Sequence, residues 1–270
     1  MYKSILLILA GSTSLALADQ PIMNMMPRWD GGWGFQFIEE YRHYDSYLDG
    51  TSKVRSDLDL EEEMHILHFQ GVYTWDRSVR FTFKIPYVLD AQRSIPHSSG
   101  SGVEKQRTSG FDDLQLALPL KKYFNEEGYS GSWTLAPQLI VPTGRTSGDY
   151  TLGDNSWGYG LSLGYEVESA RWFFATSVTG FYNDGNEPEE VYASVDLGWN
   201  FNDRGQLLWE TDFHGEDDGT RTVSAGPALY YRVNDTVHMR ASWKHDFYDK
   251  QGTLDHGDGD SFRLGIGFVF

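Results

Sequence analysis

The chain has no cysteine in its 270 residues, so no disulfide framework can hold it together. It has no basic excess either, because 22 Lys and Arg stand against 39 Asp and Glu for a formal charge of -17. That balance excludes binding to nucleic acid or to an anionic membrane surface, both of which select for basic patches. Beyond the first residues no stretch stays apolar for the roughly 20 residues that a spanning helix needs, and the mean hydropathy is negative. A helical membrane protein is thereby excluded. A transmembrane barrel is not, because lipid-facing and lumen-facing residues alternate and each strand averages to near neutral.

Near the start, Lys3 precedes an apolar run from Ile5 to Ala10, and Ala16-Leu17-Ala18 precedes Asp19. A basic start, a short apolar core and a small-x-small site predict a cleaved secretory signal peptide over residues 1–18, with a single domain from 19 to 270. The 29 Gly, 16 Tyr, 16 Phe and 9 Trp suit an all-β chain with tight turns and aromatic belts. An exported chain without disulfides needs a core or a closed sheet with no free edge.

Period two runs through the mature chain. Val79, Phe81, Phe83, Ile85, Tyr87 and Leu89 alternate with Arg80, Thr82, Lys84, Pro86 and Val88, and Leu114 to Leu120 alternate with Asp113 to Lys121. The pattern returns at 133–141, 159–167, 172–182, 191–201, 207–213, 223–233 and 237–243, with weaker strands at 33–44 and 58–74 and a last one at 261–270, twelve in all. Five short turns, at 75–78, 125–128, 168–171, 202–205 and 233–236, alternate with longer polar segments, the longest running from Ala91 to Ser109. This predicts a 12-stranded antiparallel transmembrane β-barrel of the bacterial outer-membrane type, with both termini on the periplasmic side. Tyr73, Trp75, Tyr123, Phe124, Trp133, Trp172, Trp199 and Phe201 lie near the short turns, as an interfacial girdle requires. A soluble sandwich of about 7 to 9 strands is the competing fold, and it gives no reason for alternating short and long connections. The expected location is the outer membrane of a Gram-negative bacterium, in contact with lipid and lipopolysaccharide. Phe270, on a strand whose even positions are apolar, resembles the sorting signal read by the outer-membrane assembly machinery.

Two stretches carry a family resemblance. "GFDDLQLALPLKKYF" (Gly110 to Phe124) and "APQLIVPTGRTSGDYTLGDNSWGYGLSLGYEV" (Ala136 to Val167) are similar to the Gly-x-x-Asp-Leu strand start and Pro-Thr-Gly strand end of the MetA-pathway of phenol degradation family. Asp112 stands where that family often has a second Gly, and Leu152-Gly153-Asp154 where it often has Leu-Gly-x-Gly. The resemblance implies an outer-membrane barrel that transports a small-molecule solute, and it leaves the solute open.

If the apolar set meets lipid, the opposite set meets the lumen. Its acidic members are Glu40, Asp113, Glu166, Asp196, Glu210, Asp212 and Asp246, and its basic members are Arg42, Arg80, Lys84, Lys121, Arg232, Arg240, Lys244 and Arg263. Such charges line a wet pore and select a solute, or they pair and plug the barrel. Twelve strands leave more room than the eight that side chains fill, which favours a pore. Three further patterns stand in the sequence. His97 and Ser99, in "PHSSG", would be the start of a lipid hydrolase, but a Ser/Gly-rich loop offers no rigid third group, so no enzyme is expected. Asp255, Asp258 and Asp260 have the hard oxygens that calcium takes. Counting twelve from Asp255 places Ile266 where a calcium loop needs a carboxylate, so neither metal nor cofactor is expected. The acidic segments at 184–190 and 214–219 read as solvated loops.

Overall fold

A computed structural model describes residues 31–49, 52–54, 61–96, 103–152, 156–184, 188–250 and 258–270. The signal-peptide reading of residues 1–18 lies outside them, as do His97, Ser99 and Asp255. Twelve strands form the wall: β1 (Gly32–Asp49), β2 (Glu62–Asp76), β3 (Val79–Pro96), β4 (Val103–Phe111, Leu114–Ala117 and Leu120–Glu126), β5 (Tyr129–Val141), β6 (Gly158–Ser169), β7 (Trp172–Asn183), β8 (Glu190–Asn202), β9 (Gly205–Glu216), β10 (Arg221–Arg232), β11 (Val237–Lys250) and β12 (Asp258–Val269). Each pairs antiparallel with the next, and β12 returns to β1 from Gly34↔Val269 to Ser46↔Asp258. Closure removes the free edges, which is how a chain without disulfides holds a long sheet.

Side-chain alternation has two different solvents. Outward positions carry Leu163, 56% exposed, and Trp172, 66% exposed, together with Leu161, Leu197 and Leu264. An apolar surface of that extent is sustainable only in lipid. Aromatic contacts mark its borders. Trp33 and Tyr73 (4.8 Å), Tyr73 and Trp75 (5.2 Å) and Trp133 and Tyr165 (4.6 Å) lie toward the short turns. Tyr87 and Phe111 (4.8 Å) lie toward the long connections.

The short turns share one end with Gly32 and Phe270, and local side chains cap them. Asp76 Oδ1 accepts from the backbone N–H of Ser78 (2.6 Å) and Val79 (3.1 Å), and Asn234 Oδ1 accepts from Thr236 (2.9 Å) and Val237 (2.8 Å). These are Asx turns, in which the side chain replaces a backbone acceptor. The Phe270 N–H donates to the Trp33 carbonyl at 2.8 Å, so the last residue seals the seam between first and last strands.

Two expectations are corrected. The segment from Ala91 to Ser109 is mostly not a loop, since β3 continues to Pro96 and β4 begins at Val103. Beyond the lipid the outward residues, Gln92 and Arg107 among them, meet water, so apolar alternation stops while the hydrogen-bonded ladder continues. β4, which takes in the strand expected from Asp113 to Lys121, is broken at Asp112-Asp113 and again at Leu118-Pro119. Pro119 has no N–H to give the ladder. Its carbonyl still accepts from the Arg80 N–H at 3.1 Å, and the Leu118 N–H donates to the Pro137 carbonyl at 3.0 Å, so the wall stays shut there.

Candidate functional site: the inward wall and the segment folded into it

The inward set is even-numbered on β1, β2, β5, β6, β8, β9, β10 and β11, even on β3 as far as Val88, and odd on β7, β12 and β4 beyond Asp113. The charges predicted for the lumen fall at positions of this parity, except Asp113, which lies in the break of β4. The structure gathers most of them into groups joined along the wall.

On β1, Glu40 is 1% exposed and receives three donors: Arg42 Nε at 2.7 Å, Arg263 Nη2 at 2.8 Å and His68 Nε2 at 2.7 Å. A buried carboxylate needs such saturation. On β11, Arg240 and Lys244 reach over β10 to β9. Arg240 pairs with Glu210, and Lys244 with Asp212 and, at 3.2 Å, with Glu210. The reach is possible because the inward residues of β10 at that level are Gly226 and Ala228. Lys121 reaches similarly over β5 to Glu166 on β6 (3.3 Å), and Ser132 donates to the same oxygen at 2.6 Å.

The other predicted members occupy further places on the wall. Arg80 and Lys84 are buried inward on β3, and Asp246 faces inward on β11. Asp196, inward on β8, lies opposite Glu210 on one neighbouring strand and Ala175 on the other. Arg232 is at the exposed short-turn rim, where Nη2 donates to the Asp203 carbonyl at 3.2 Å. Asp113 belongs to the break in β4.

Charge is unevenly distributed around the wall. From Gly158 to Glu216 the only Lys or Arg residues are Arg171 and Arg204, both in or beside short turns, and the inward His214 lies 3.1 Å from Glu190. The inward face of β6 to β9 holds Glu166, Glu168, Glu190 and Asp196, then Glu210, Asp212 and Glu216. Solvation is uneven too. Inward Gln70, Lys84, Gln115 and Ser132, on β2 to β5, are buried, whereas Ser177, Ser194, Asp196 and Asp212, on β7 to β9, are half-exposed.

Charge-based reading missed a neutral polar lining. Gln36 Nε2 donates to Gln70 Oε1 at 3.1 Å, and His238 Nε2 lies 3.2 Å from Gln36 Oε1. Gln138 pairs with Ser162, which lies 2.6 Å from Thr179 Oγ1, and Ser177 and Ser194 hydroxyls meet at 2.7 Å. Parity alone would have found these residues, since they share the faces of the charges.

It also missed a segment folded inward. After β5, the short strand Arg145–Gly148 pairs with the upper part of β4. The chain then carries Tyr150 and Leu152 onto inward-facing Met64, Ile66, Val88 and Ala91, and Leu152 is 5% exposed. Arg93 stacks its guanidinium over the Tyr150 ring at 3.9 Å, and burial pushes the Tyr150 hydroxyl above its ordinary pKa. The fold back starts at the break in β4. The Gly144 N–H donates to Asp113 Oδ1 at 2.7 Å, and the Leu114 N–H donates to Thr143 Oγ1 at 3.0 Å. The Asp-Leu and Pro-Thr-Gly motifs, distant in sequence, are therefore one structural joint.

The model of the family described as Putative MetA-pathway of phenol degradation matches residues 48–264, and both motifs of that joint fall inside the match. The chain belongs to this family. No curated protein sequence matches it. Among solved structures, the COG4313 outer membrane channel from Pseudomonas putida F1 is similar at a TM-score of 0.72 and 18% identity, over 93% of this chain and 99% of that one. The NanC porin is similar at 0.52 and 9% identity, over 87% and 100%. The KdgM porin in complex with disordered oligogalacturonate is similar at 0.52 and 8% identity, over 88% and 99%. This member of the phenol-degradation family is thus a 12-stranded outer-membrane barrel. Among its described residues no group of three or more His, Asp or Glu is placed to hold a metal ion.

Proposed function

We propose that the barrel is a channel for passive uptake of a small, partly apolar molecule, an aromatic compound being the chemistry that fits best, and that it is not an enzyme. The observation that carries this reading is the apolar seat of Met64, Ile66, Val88 and Ala91 under Leu152 and Tyr150, on an inward wall that also carries many buried polar and charged side chains. A barrel built only to pass ions has no use for buried methyls at its mouth. An aromatic ring buries its faces against such a surface, and each fully buried side chain of this kind is worth roughly 1.5–3 kcal/mol in transfer from water. Similar folds are named as channels and porins, and the family name refers to phenol degradation.

In this reading residues 1–18 direct export, Phe270 is the assembly signal, and the inward charges from Arg42 to Arg263 line the path and tune which solutes pass. Leu152→Asp and Ile66→Asp each place a carboxylate in the apolar contact. Entry of a small monoaromatic alcohol into liposomes carrying the refolded barrel should fall at least about fivefold in either variant, a loss of roughly 1 kcal/mol of apolar contact. Entry of a polar solute of similar size should not fall. An aromatic flux unchanged by both substitutions would contradict the seat.

A further inference from the structure

We propose that the water path through the lumen follows β7 to β11, that it prefers cations, and that Asp196 sets the preference. The inference rests on the channel reading and adds to it the selectivity.

The side of the path follows from solvation. Ser177, Ser194, Asp196 and Asp212 retain partial exposure, as do Arg240 and Ser242 on β11, while inward residues across the barrel on β2 to β5 are covered. The sign follows from counting charges along it. Arg240 and Lys244 are both engaged by Glu210 and Asp212. In this group two cations face the three carboxylates Asp196, Glu210 and Asp212, and the same strands carry Glu190, Glu216 and Asp246 inward against Arg232 alone at the rim, so the sum is negative.

Asp196 holds that excess. It has no ion pair or hydrogen bond among the described residues, its β7 neighbour is Ala175, and no Lys or Arg occupies an inward position between Gly158 and Glu216. Two residues along the same face lies Ser194, whose hydroxyl meets that of Ser177. A carboxylate with no direct ion-pair partner, near hydroxyl oxygens, suits a partly dehydrated cation, whether an inorganic ion or the ammonium group of an organic solute. In a narrow water path with low-dielectric walls, one fixed charge raises the local concentration of the opposite sign.

Two measurements test this. In planar bilayers under a tenfold KCl gradient at pH 8, wild type should show a cation-selective reversal potential, and Asp196→Asn should lower the cation-to-anion permeability ratio at least about threefold. Asp218→Asn, in a loop, is the control and should leave it unchanged. Anion preference, absence of preference, or an unaltered ratio in Asp196→Asn overturns the proposal while the channel reading survives.

The second measurement needs no conductance, so it decides the proposal even where a folded barrel is silent in the bilayer and the channel reading fails. Ser194→Cys introduces the only thiol of the chain. In detergent, a cationic methanethiosulfonate should modify it faster than an anionic one by about tenfold, after correction for a free thiol, and Asp196→Asn should shrink that ratio. A thiol that does not react, or reacts equally with both reagents, overturns the proposal.

Discussion

Asp113 Oδ1 accepts a hydrogen bond from the backbone N–H of Gly144 at 2.7 Å, joining the break in β4 to the segment that folds into the barrel. The break frees the Leu114 N–H from its ladder, and Thr143 Oγ1 takes it up at 3.0 Å. Neither motif explains itself alone. Together they turn the chain inward and deliver Leu152 to its seat. A Cβ on residue 144 would lie 3.0 Å from Asp113 Oδ1 and 3.3 Å from the Leu152 carbonyl, so the approach favours glycine.

Removing the acceptor should loosen this joint. Asp113→Ala leaves the Gly144 N–H without its partner and is expected to cost about 1–3 kcal/mol, whereas Asp113→Asn keeps an acceptor and should cost less. Urea unfolding in detergent micelles, followed by tryptophan fluorescence, measures both. Identical midpoints for Asp113→Ala and wild type would contradict the role given to the carboxylate.

The lipid and lumen faces of β11 make a paired prediction. Ala241 lies outward between Leu264 and Leu229, and Ser242 lies inward beside Arg263. Ala241→Arg places a guanidinium in hydrocarbon and should cost roughly 2–4 kcal/mol. Ser242→Arg, on the wetter face, should still fold. Heat-modifiable mobility on gels separates the two, and the reverse result would invert the register of this strand.

Gly226 has a different constraint. An added Cβ would sit 1.9 Å from the Trp243 carbonyl, a backbone atom that no rotamer change can move. Gly226→Ala must therefore part β10 from β11 or fail to fold. The expected outcome is a folded yield well below that of Ala228→Ser, two residues along the same inward face. Equal yields would show that the approach relaxes without loss.

Phe270 closes the seam through its N–H and exposes 71% of its side chain on the outer surface. Its ring does little for packing, so recognition during assembly is the function proposed for it. Replacing it with Lys should leave export intact and reduce folded barrel in the outer membrane. Unchanged amounts of the heat-modifiable form would sink that role.

Much of this architecture was legible because lipid enforces it. Phe83 and Leu116 had to alternate with Lys84 and Gln115, and no other environment writes that pattern so consistently along a chain. Where lipid ends, the signal ends. Gln92 and Arg107 lie on extended strand, yet their outward face meets water there and the segment reads as loop. The inward segment was hidden for another reason. Tyr150 and Leu152 stand among Gly, Ser and Asp residues, and the apolar Met64, Ile66 and Val88 at lumen parity do not say which segment covers them. Counting puts charges such as Glu40 and Arg263 on the face opposite the apolar set, but nothing in one dimension tells that they meet at 2.8 Å across the closing seam.

Passage through the barrel tests the central claim most directly. Liposomes reconstituted with increasing amounts of folded wild type should take up a small monoaromatic alcohol at a rate that rises in proportion to the number of barrels, well above protein-free vesicles. The same protein, unfolded by heat before reconstitution, should add nothing. If folded barrels, verified by gel mobility, admit the solute no faster than empty vesicles, the wall encloses a plugged lumen and the channel account is wrong.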